Sequence, residues 1–298
     1  MIGSDVPSSK PGEDKRHISA TAQEATANRH TNDLPHPVPA HDYDTGYYDL
    51  YYPPEGRLRE EINLRVGKGL DMARVTPGTQ LLDIGCGPGD FLIACARTGA
   101  LSWGIDYSHD AVAVARKSIN VIGPELRRMI SIEAMDAKDL AFGDGSFDVV
   151  TMMDVVEHLY PHELNQALSE AARVLKRPGR LVIRTMPNAW ISRPAYRFAA
   201  MLARRTMPWD SEHFHVNEQS PVSLVRSLRR LGGEQRLIMG KVSDKYFASH
   251  LPREGSPLLR LIAKVIDRVV DSPVGCAFVY GTPLRYVLGT ELWATVDL

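Results

Sequence analysis

Leu81 to Gly89 reads LLDIGCGPG. An apolar run that ends on an acidic residue suits a buried strand. The glycines at 85, 87 and 89 suit a turn whose backbone must come close to a ligand, because glycine has no Cβ and tolerates φ > 0. The next residues, Asp90 to Thr98, are expected as a helix whose first amides can receive a negatively charged group. The spacing is G-x-G-x-G. The dinucleotide fingerprint G-x-G-x-x-G would need glycine at position 90, where this chain has Asp90.

Outward from this turn, strand-like and helix-like segments alternate. Strands are expected at Gln80–Ile84, Leu101–Asp106, Met129–Ala134, Phe147–Met153 and Leu181–Met186. Helices are expected at Glu55–Val75, Ser108–Ile119, with Ser108 as N-cap, and Pro161–Lys176. Gly123-Pro124, Gly143–Ser146 and Pro178-Gly179 punctuate them as turns. Such alternation predicts βαβ units, hence an α/β fold with a doubly wound, mostly parallel sheet. Ala189–Arg205 breaks the rhythm and reads as an inserted helix after the fifth strand. A further helix is expected at Glu218–Leu231, a strand at Glu234–Gly240, a helix at Pro257–Val270 and a last strand within Arg285–Val296.

Length and composition set the bounds. A chain of 298 residues holds one large α/β domain with additions. With 35 basic and 36 acidic residues the net charge is −1, which gives no strong attraction to nucleic acid. Cys86, Cys95 and Cys276 fit no zinc spacing and no disulfide framework, which points to a reducing, cytoplasmic setting. No run approaches the about 18 apolar residues that span a bilayer. Residues 1–42 are polar and read as a disordered extension, and 43–298 as the folded domain. Within the domain the core is expected at about 56–240, the inserted helix at about 189–212 and a C-terminal addition at about 241–298.

Four landmarks fall in order: LLDIGCGPG; GIDYS, Gly104 to Ser108; Met135-Asp136-Ala137; and FDVVTMMDVVEHL, Phe147 to Leu159. With LKRPGRLVI, Leu175 to Ile183, they resemble the class I S-adenosylmethionine-dependent methyltransferases, and the ubiquinone-biosynthesis O-methyltransferase branch in particular. The resemblance covers about Gly56 to Gly240 and implies a seven-stranded Rossmann-like sheet with helical insertions after strand five and near the C-terminus. It implies S-adenosylmethionine as cofactor. Asp83, Gly85 and Gly87 are the implied partners of its methionine part, and Cys86 between them is a further implied cofactor contact. Asp106 would meet the ribose and Asp136 the adenine, with Tyr107 and Ala137 as further cofactor contacts, and Met153 would line the sulfonium region. Carboxylates at strand ends some 20 and 30 residues apart can accept from ribose hydroxyls and an amino group, the physics of dinucleotide sites. Read singly, each piece also has an ordinary account as a turn or cap.

Methyl transfer from a sulfonium is an in-line displacement with a good leaving group, so the protein mainly supplies alignment. A hydroxyl acceptor must also lose its proton, to a general base or with help from a metal. Asp154-Val-Val-Glu157-His158 places residues i, i+3 and i+4 on one face if a helix starts there. His213 and His215 follow the fifth strand and can return to the same rim. His158, His213 and His215 are the candidate bases. Asp154, Glu157, His158 and His213 are the candidate ligands of Mg²⁺ or another divalent cation. The segment resembles the E-x-x-E-H of ubiquinone-biosynthesis and small-RNA O-methyltransferases, with Asp154 where Glu is usual. A capping box, Asp154 with Glu157, is the competing account.

The acceptor is expected to be a small molecule bearing a hydroxyl: a phenol or catechol, a quinone precursor, a sugar or a natural product. Tyr43, Tyr47, Tyr48, Tyr51 and Tyr52 form a candidate lid or a packed surface. Trp190, Tyr196, Phe198 and Trp209 are candidate walls of an apolar pocket, and the arginines among them could face anionic headgroups. A peripheral membrane contact and a homodimer are compatible with the chain. RNA or protein methylation, a cofactor-binding scaffold without turnover, and an NAD-dependent oxidoreductase are the alternatives.

Overall fold

The computed structural model describes residues 38–44, 46–48, 64–194, 215–240, 257, 261, 264–265, 267–269 and 272–298. Its centre is a seven-stranded sheet in the order β3-β2-β1-β4-β5-β7-β6. The strands are β1 Gln80–Ile84, β2 Leu101–Asp106, β3 Ile130–Ala134, β4 Phe147–Met153, β5 Leu175–Thr185, β6 Glu234–Gly240 and β7 Glu291–Asp297. β1 to β5 pair in parallel, and β7 runs antiparallel between β5 and β6. The doubly wound, mostly parallel architecture expected from the alternation is the one observed.

The helices are α1 Leu64–Ala73, α2 Asp90–Arg97, α3 His109–Asn120, α4 Pro124–Arg127, α5 Pro161–Val174, α6 Pro221–Leu228, α7 Pro273–Gly281 and α8 Arg285–Leu288, with 3-10 turns at Ala40–Asp42, Val156–His158 and Arg229–Leu231. Two apolar layers sandwich the sheet. Leu82, Ile84, Val150, Met152, Leu181 and Ile183 meet Leu164, Leu168 and Ala171 of α5 on one face. Leu81, Val149, Val182 and Trp293 meet Phe91, Leu92 and Cys95 of α2 on the other. Burial on both faces is why these strands read as continuous apolar runs. α5 presents Leu164, Ala167, Leu168, Ala171 and Val174 at helical spacing, all buried. Gly104 is required because a Cβ there would lie 2.3 Å from Leu92 Cδ1 of α2.

Boundaries differ from expectation where local chemistry intervenes. Ser108 caps α3 as expected, accepting from Ala111 N at 3.2 Å. α5 ends at Val174, because Leu175 already pairs with Phe147 and opens β5. α6 starts at Pro221 rather than Glu218. Ser220 caps it by accepting from Ser223 N at 3.1 Å, and proline fits its first turn. The expected strand within Arg285–Val296 divides into α8 and β7. Asn188 Nδ2 donates to Tyr286 O at 3.0 Å and to Gly289 O at 2.9 Å, which holds the break. Val38 is buried and Ala40–Asp42 forms a turn, inside the stretch read as a disordered extension. Of the inserted helix, 189–194 is helical. The rest, with Tyr196, Phe198, Trp209 and His213, lies outside the described residues, as do Tyr51 and Tyr52.

Strand order reverses between β1 and β4, whose carboxyl ends open a crevice at that switch point. The four sequence landmarks lie at the carboxyl ends of β1, β2, β3 and β4, the first and last of them at this switch point.

Candidate active site

The glycine turn carries the first half of the site. Gly85, Gly87 and Gly89 have φ of 71°, 49° and 85°. At Gly85 a Cβ would also sit 2.4 Å from Val155 Cγ2, so side chains are excluded by both strain and space. Gly85 N and Cys86 N donate to Ile105 O at 2.8 and 2.9 Å, tying the turn to the end of β2. Asp106 closes the arrangement, accepting from Gly87 N at 3.0 Å and Ser108 N at 3.0 Å. Burial pushes its carboxyl up to about 6, against the pull of those amides. Asp83 sits deeper. Burial raises it to about 7, while Thr151 Oγ1 donates to it at 2.6 Å. Asp136 is exposed and accepts from Lys138 N at 2.9 Å. Ala137 is half-buried beside it. Cys86 is buried, its thiol raised by burial. Met153 packs into the apolar layer, its methyl group lying 3.0 Å from the Cβ position of Gly69.

The second half assembles at the end of β4. Asp154, with φ of 60°, turns the chain out of the strand, and Val156–His158 forms a single 3-10 turn. The helix face expected for Asp154, Glu157 and His158 is therefore not formed. Asp154 instead pairs with Arg65 Nη1 at 2.9 Å and with Arg184 Nη1. Although burial alone would raise it, Arg184 and Arg65 hold this carboxyl below the ordinary range. Arg184 also bonds Glu291 at 3.1 Å, and Lys68 reaches Glu291 at 3.0 Å above the Trp293 ring. This network joins α1 to β4, β5 and β7. With both carboxylate oxygens on guanidinium groups, Asp154 drops out of the expected ligand set.

Glu157, His158 and His215 do converge. One ligand atom from each lies within 4.8 Å of the others. Glu157 is 1% exposed, accepts from Thr185 Oγ1 at 2.8 Å and stands beside the charge of Asp154. Burial, then that charge, raises its carboxyl to about 8. The His158 and His215 rings lie 5.0 Å apart. His158 Nδ1 shares a hydrogen bond of 2.9 Å with Tyr43 Oη. Tyr43 O accepts from Ser108 Oγ at 2.8 Å, and Tyr107 Oη donates to Val38 O at 3.2 Å. Tyr48 lies 3.7 Å from the Cβ position of Gly87. Tyr43, Tyr47 and Tyr48 thus pack with Ala111 and Val114 of α3, and Tyr43 also reaches the site through His158.

Reasoning from sequence missed Arg65, Arg184 and the pairing of Tyr43 with His158. Arg65 had no motif around it. The only signal for Tyr43 was its place in an aromatic cluster.

A methyltransferase domain model matches residues 82–183, from β1 through most of β5. The Ubiquinone/menaquinone biosynthesis C-methyltransferase of Paraburkholderia xenovorans is 32% identical over 164 residues, 53% of this chain and 63% of its own length. The Ubiquinone biosynthesis O-methyltransferase of Thiobacillus denitrificans is 29% identical over 184 residues, 60% of this chain and 75% of its own. The methyltransferase solved with the Haloferax volcanii Trm112 activator superposes with a TM-score of 0.57 at 20% identity, over 87% of this chain and 97% of that one, which shows the fold. The matched domain, the strand order and the glycine turn closed by Asp106 agree: residues 82–183 form a methyltransferase domain of the class I S-adenosylmethionine-dependent type.

Proposed function

We propose that this methyltransferase acts on a hydroxyl oxygen of a small molecule, with His158 receiving the proton. The observation that carries this reading is the convergence of Glu157, His158 and His215 just after β4, beyond Val155, which packs against Gly85 of the glycine turn. The O–H bond breaks and its proton goes to His158. The oxygen forms a bond to the methyl carbon, whose bond to sulfur breaks, leaving neutral S-adenosylhomocysteine. A base on His158 Nε2 needs its other nitrogen protonated. Nδ1–H donating to Tyr43 Oη gives that tautomer, and burial keeps the Tyr43 phenol neutral by raising it far above the ordinary range. Burial and the charge of Asp154 raise the Glu157 carboxyl to about 8, so it adds little negative charge of its own beside the base at neutral pH.

Asp106 and the amides around Gly87 would hold the ribose end of the cofactor, and exposed Asp136 the adenine edge. The rim made by buried Tyr43, half-buried Tyr47 and exposed Tyr107 would exclude water from the methyl path.

A divalent cation is the second reading, and the donor set fits one: a buried carboxyl and two imidazoles within one ligand shell, with Tyr43 as a partner behind His158. Glu157, His158 and His215 would hold it, and it would supply a lowered pKa for a bound hydroxyl. His213 and Asp154 are not needed for it. The comparisons favour no acceptor atom, since named relatives include both a C- and an O-methyltransferase.

Transfer of a labelled methyl group to a panel of catechols, phenols, enolisable carbon acids and amines tests the proposal. Label on oxygen supports it, and label on carbon or nitrogen alone contradicts it. Full activity in excess chelator favours His158 as base. Activity lost to chelator and restored by Mg²⁺ or Mn²⁺ favours the cation.

A further inference from the structure

The flank that carries α6, α7 and α8 is built unlike the rest of the surface. α7 is the nine-residue helix PVGCAFVYG, which has no charged residue. A helix apolar all round is ordinarily buried. Here only Val279 is buried, while Val274 is 80% and Phe278 61% exposed. Just before it, Leu261, Val265 and Val269 recur every fourth residue and are all more than half exposed. Ser272 joins the two segments, donating to Val269 O at 2.7 Å and accepting from Gly275 N at 3.0 Å.

The apolar surface continues. α7 packs on α8, where Leu284 and Val287 are exposed. Tyr286 of α8 then forms one wall of an open groove of about 380 Å³. Trp190, Pro221, Val222 and Val225 form the other walls, and Arg226 and Arg229 the rim. Contiguous exposed apolar surface on this scale marks an interaction site.

Among the described residues, the exposed charges on this flank that stand outside ion pairs are basic. Arg226, Arg229, Lys264, Arg268 and Arg285 are exposed along this flank. Among the described residues none of these five takes part in an ion pair; the nearby pairs are Arg193 with Glu218 and Arg236 with Glu234. Asp267, the acid within the 257–270 segment for which a position is described, is buried. The whole chain is close to neutral at −1, so this is a local separation of charge.

We propose that this flank seats the protein on an anionic phospholipid bilayer. Apolar side chains projecting from short helices, ringed by unpaired cations, match the acyl boundary and the phosphate layer of such a surface. A second copy fits less well, because a twofold contact would set two cationic rims against each other. The groove lies beside the site. Asn217 N, four residues before α6, donates to Glu157 O at 2.9 Å, and Trp190 follows the end of β5. A bilayer held here would present a lipophilic acceptor next to the methyl-transfer crevice. The docking itself does not depend on which atom is methylated.

Co-sedimentation of the full chain with vesicles of phosphatidylcholine, with and without phosphatidylglycerol, tests this. The expected result is binding to the anionic vesicles that weakens in high salt. The pair Val274→Ser and Phe278→Ser should lower the partition coefficient about tenfold or more, as loss of inserted apolar area requires. The pair Arg226→Glu and Arg229→Glu should remove the preference for phosphatidylglycerol. Unchanged S-adenosylhomocysteine binding shows that each variant is folded. Three results would overturn the proposal: no binding to either vesicle, binding indifferent to both variant pairs, or a solution dimer that the Val274/Phe278 pair dissociates while vesicles are ignored.

Discussion

The two halves of the crevice are built by different means. The cofactor half is nearly contiguous: Asp83 to Gly89 and Asp106 to Ser108 supply its turn, its carboxylates and its amide bonds. The acceptor half is gathered from afar. Tyr43 reaches His158 across 115 positions, and Arg65 reaches Asp154 across 89. Neighbours in sequence can specify a loop by backbone geometry alone, as the positive φ of the three glycines does here. Distant residues can be held together only by burial and paired charge, which is where the network from Lys68 to Arg65 enters. On the proposed reading the first half serves as the cofactor's address and the second receives the acceptor.

If the halves are separable, the largest effect should fall on chemistry alone. His158→Ala is expected to lower kcat by about 10²–10⁴-fold, the usual contribution of a positioned acid or base. Its affinity for S-adenosylhomocysteine should stay within about twofold of the parent. A parallel loss of cofactor affinity would merge the halves into one.

Next comes the charge network. Asp154→Ala leaves Arg184, which is 4% exposed, beside one remaining carboxylate, and should cost about 3 kcal/mol in urea unfolding. Arg65 is less enclosed and can turn to water, which keeps the effect at the low end. The neighbouring Glu157 sets a pH dependence. Its folded carboxyl lies near 8 against an ordinary 4.5, so the folded state binds a proton that the unfolded state has released. Stability should be fullest below about pH 4.5 for this group and decline as pH rises through about 8. Glu157→Gln should flatten that slope in thermal melts, and an unchanged slope would remove Glu157 as its source.

Asp106→Ala should weaken S-adenosylhomocysteine by about 10²-fold, from the loss of charge-assisted hydrogen bonds and of the anchor on Gly87 N. Calorimetry checks it. Smallest is Tyr43→Phe, which removes one hydrogen bond while the ring contacts with Tyr47 and Tyr107 remain. Turnover should fall about fivefold, the equivalent of ~1 kcal/mol, and the acid limb of its pH–rate profile should move as His158 titrates without its partner. A structural role alone would lower turnover without moving that limb.

What could be read in advance follows the same division. The sheet and its helices were legible because β1, β4 and the second half of β5 bury both faces, and α5 one face, in residue types that announce it. The glycine turn and Asp106 were legible because spacing and geometry coincide. Asp154 was misplaced because D-x-x-E-H looks the same whether a helix or a strand end follows. The deciding partners, Arg65 and Arg184, lie 89 and 30 positions away. The break before β7 was hidden for a similar reason, since the side chain that holds Gly289 belongs to Asn188. The exposed apolar character of α7 was equally invisible, because PVGCAFVYG reads as a buried helix until the fold leaves it uncovered.

The central claim is that cofactor address and methyl-transfer chemistry occupy separable halves of one crevice. Titrating S-adenosylhomocysteine into Asp106→Ala and His158→Ala side by side tests it most directly. The account predicts binding lost by about 10²-fold in the first and kept in the second. Binding retained by Asp106→Ala, or lost by His158→Ala, would contradict it.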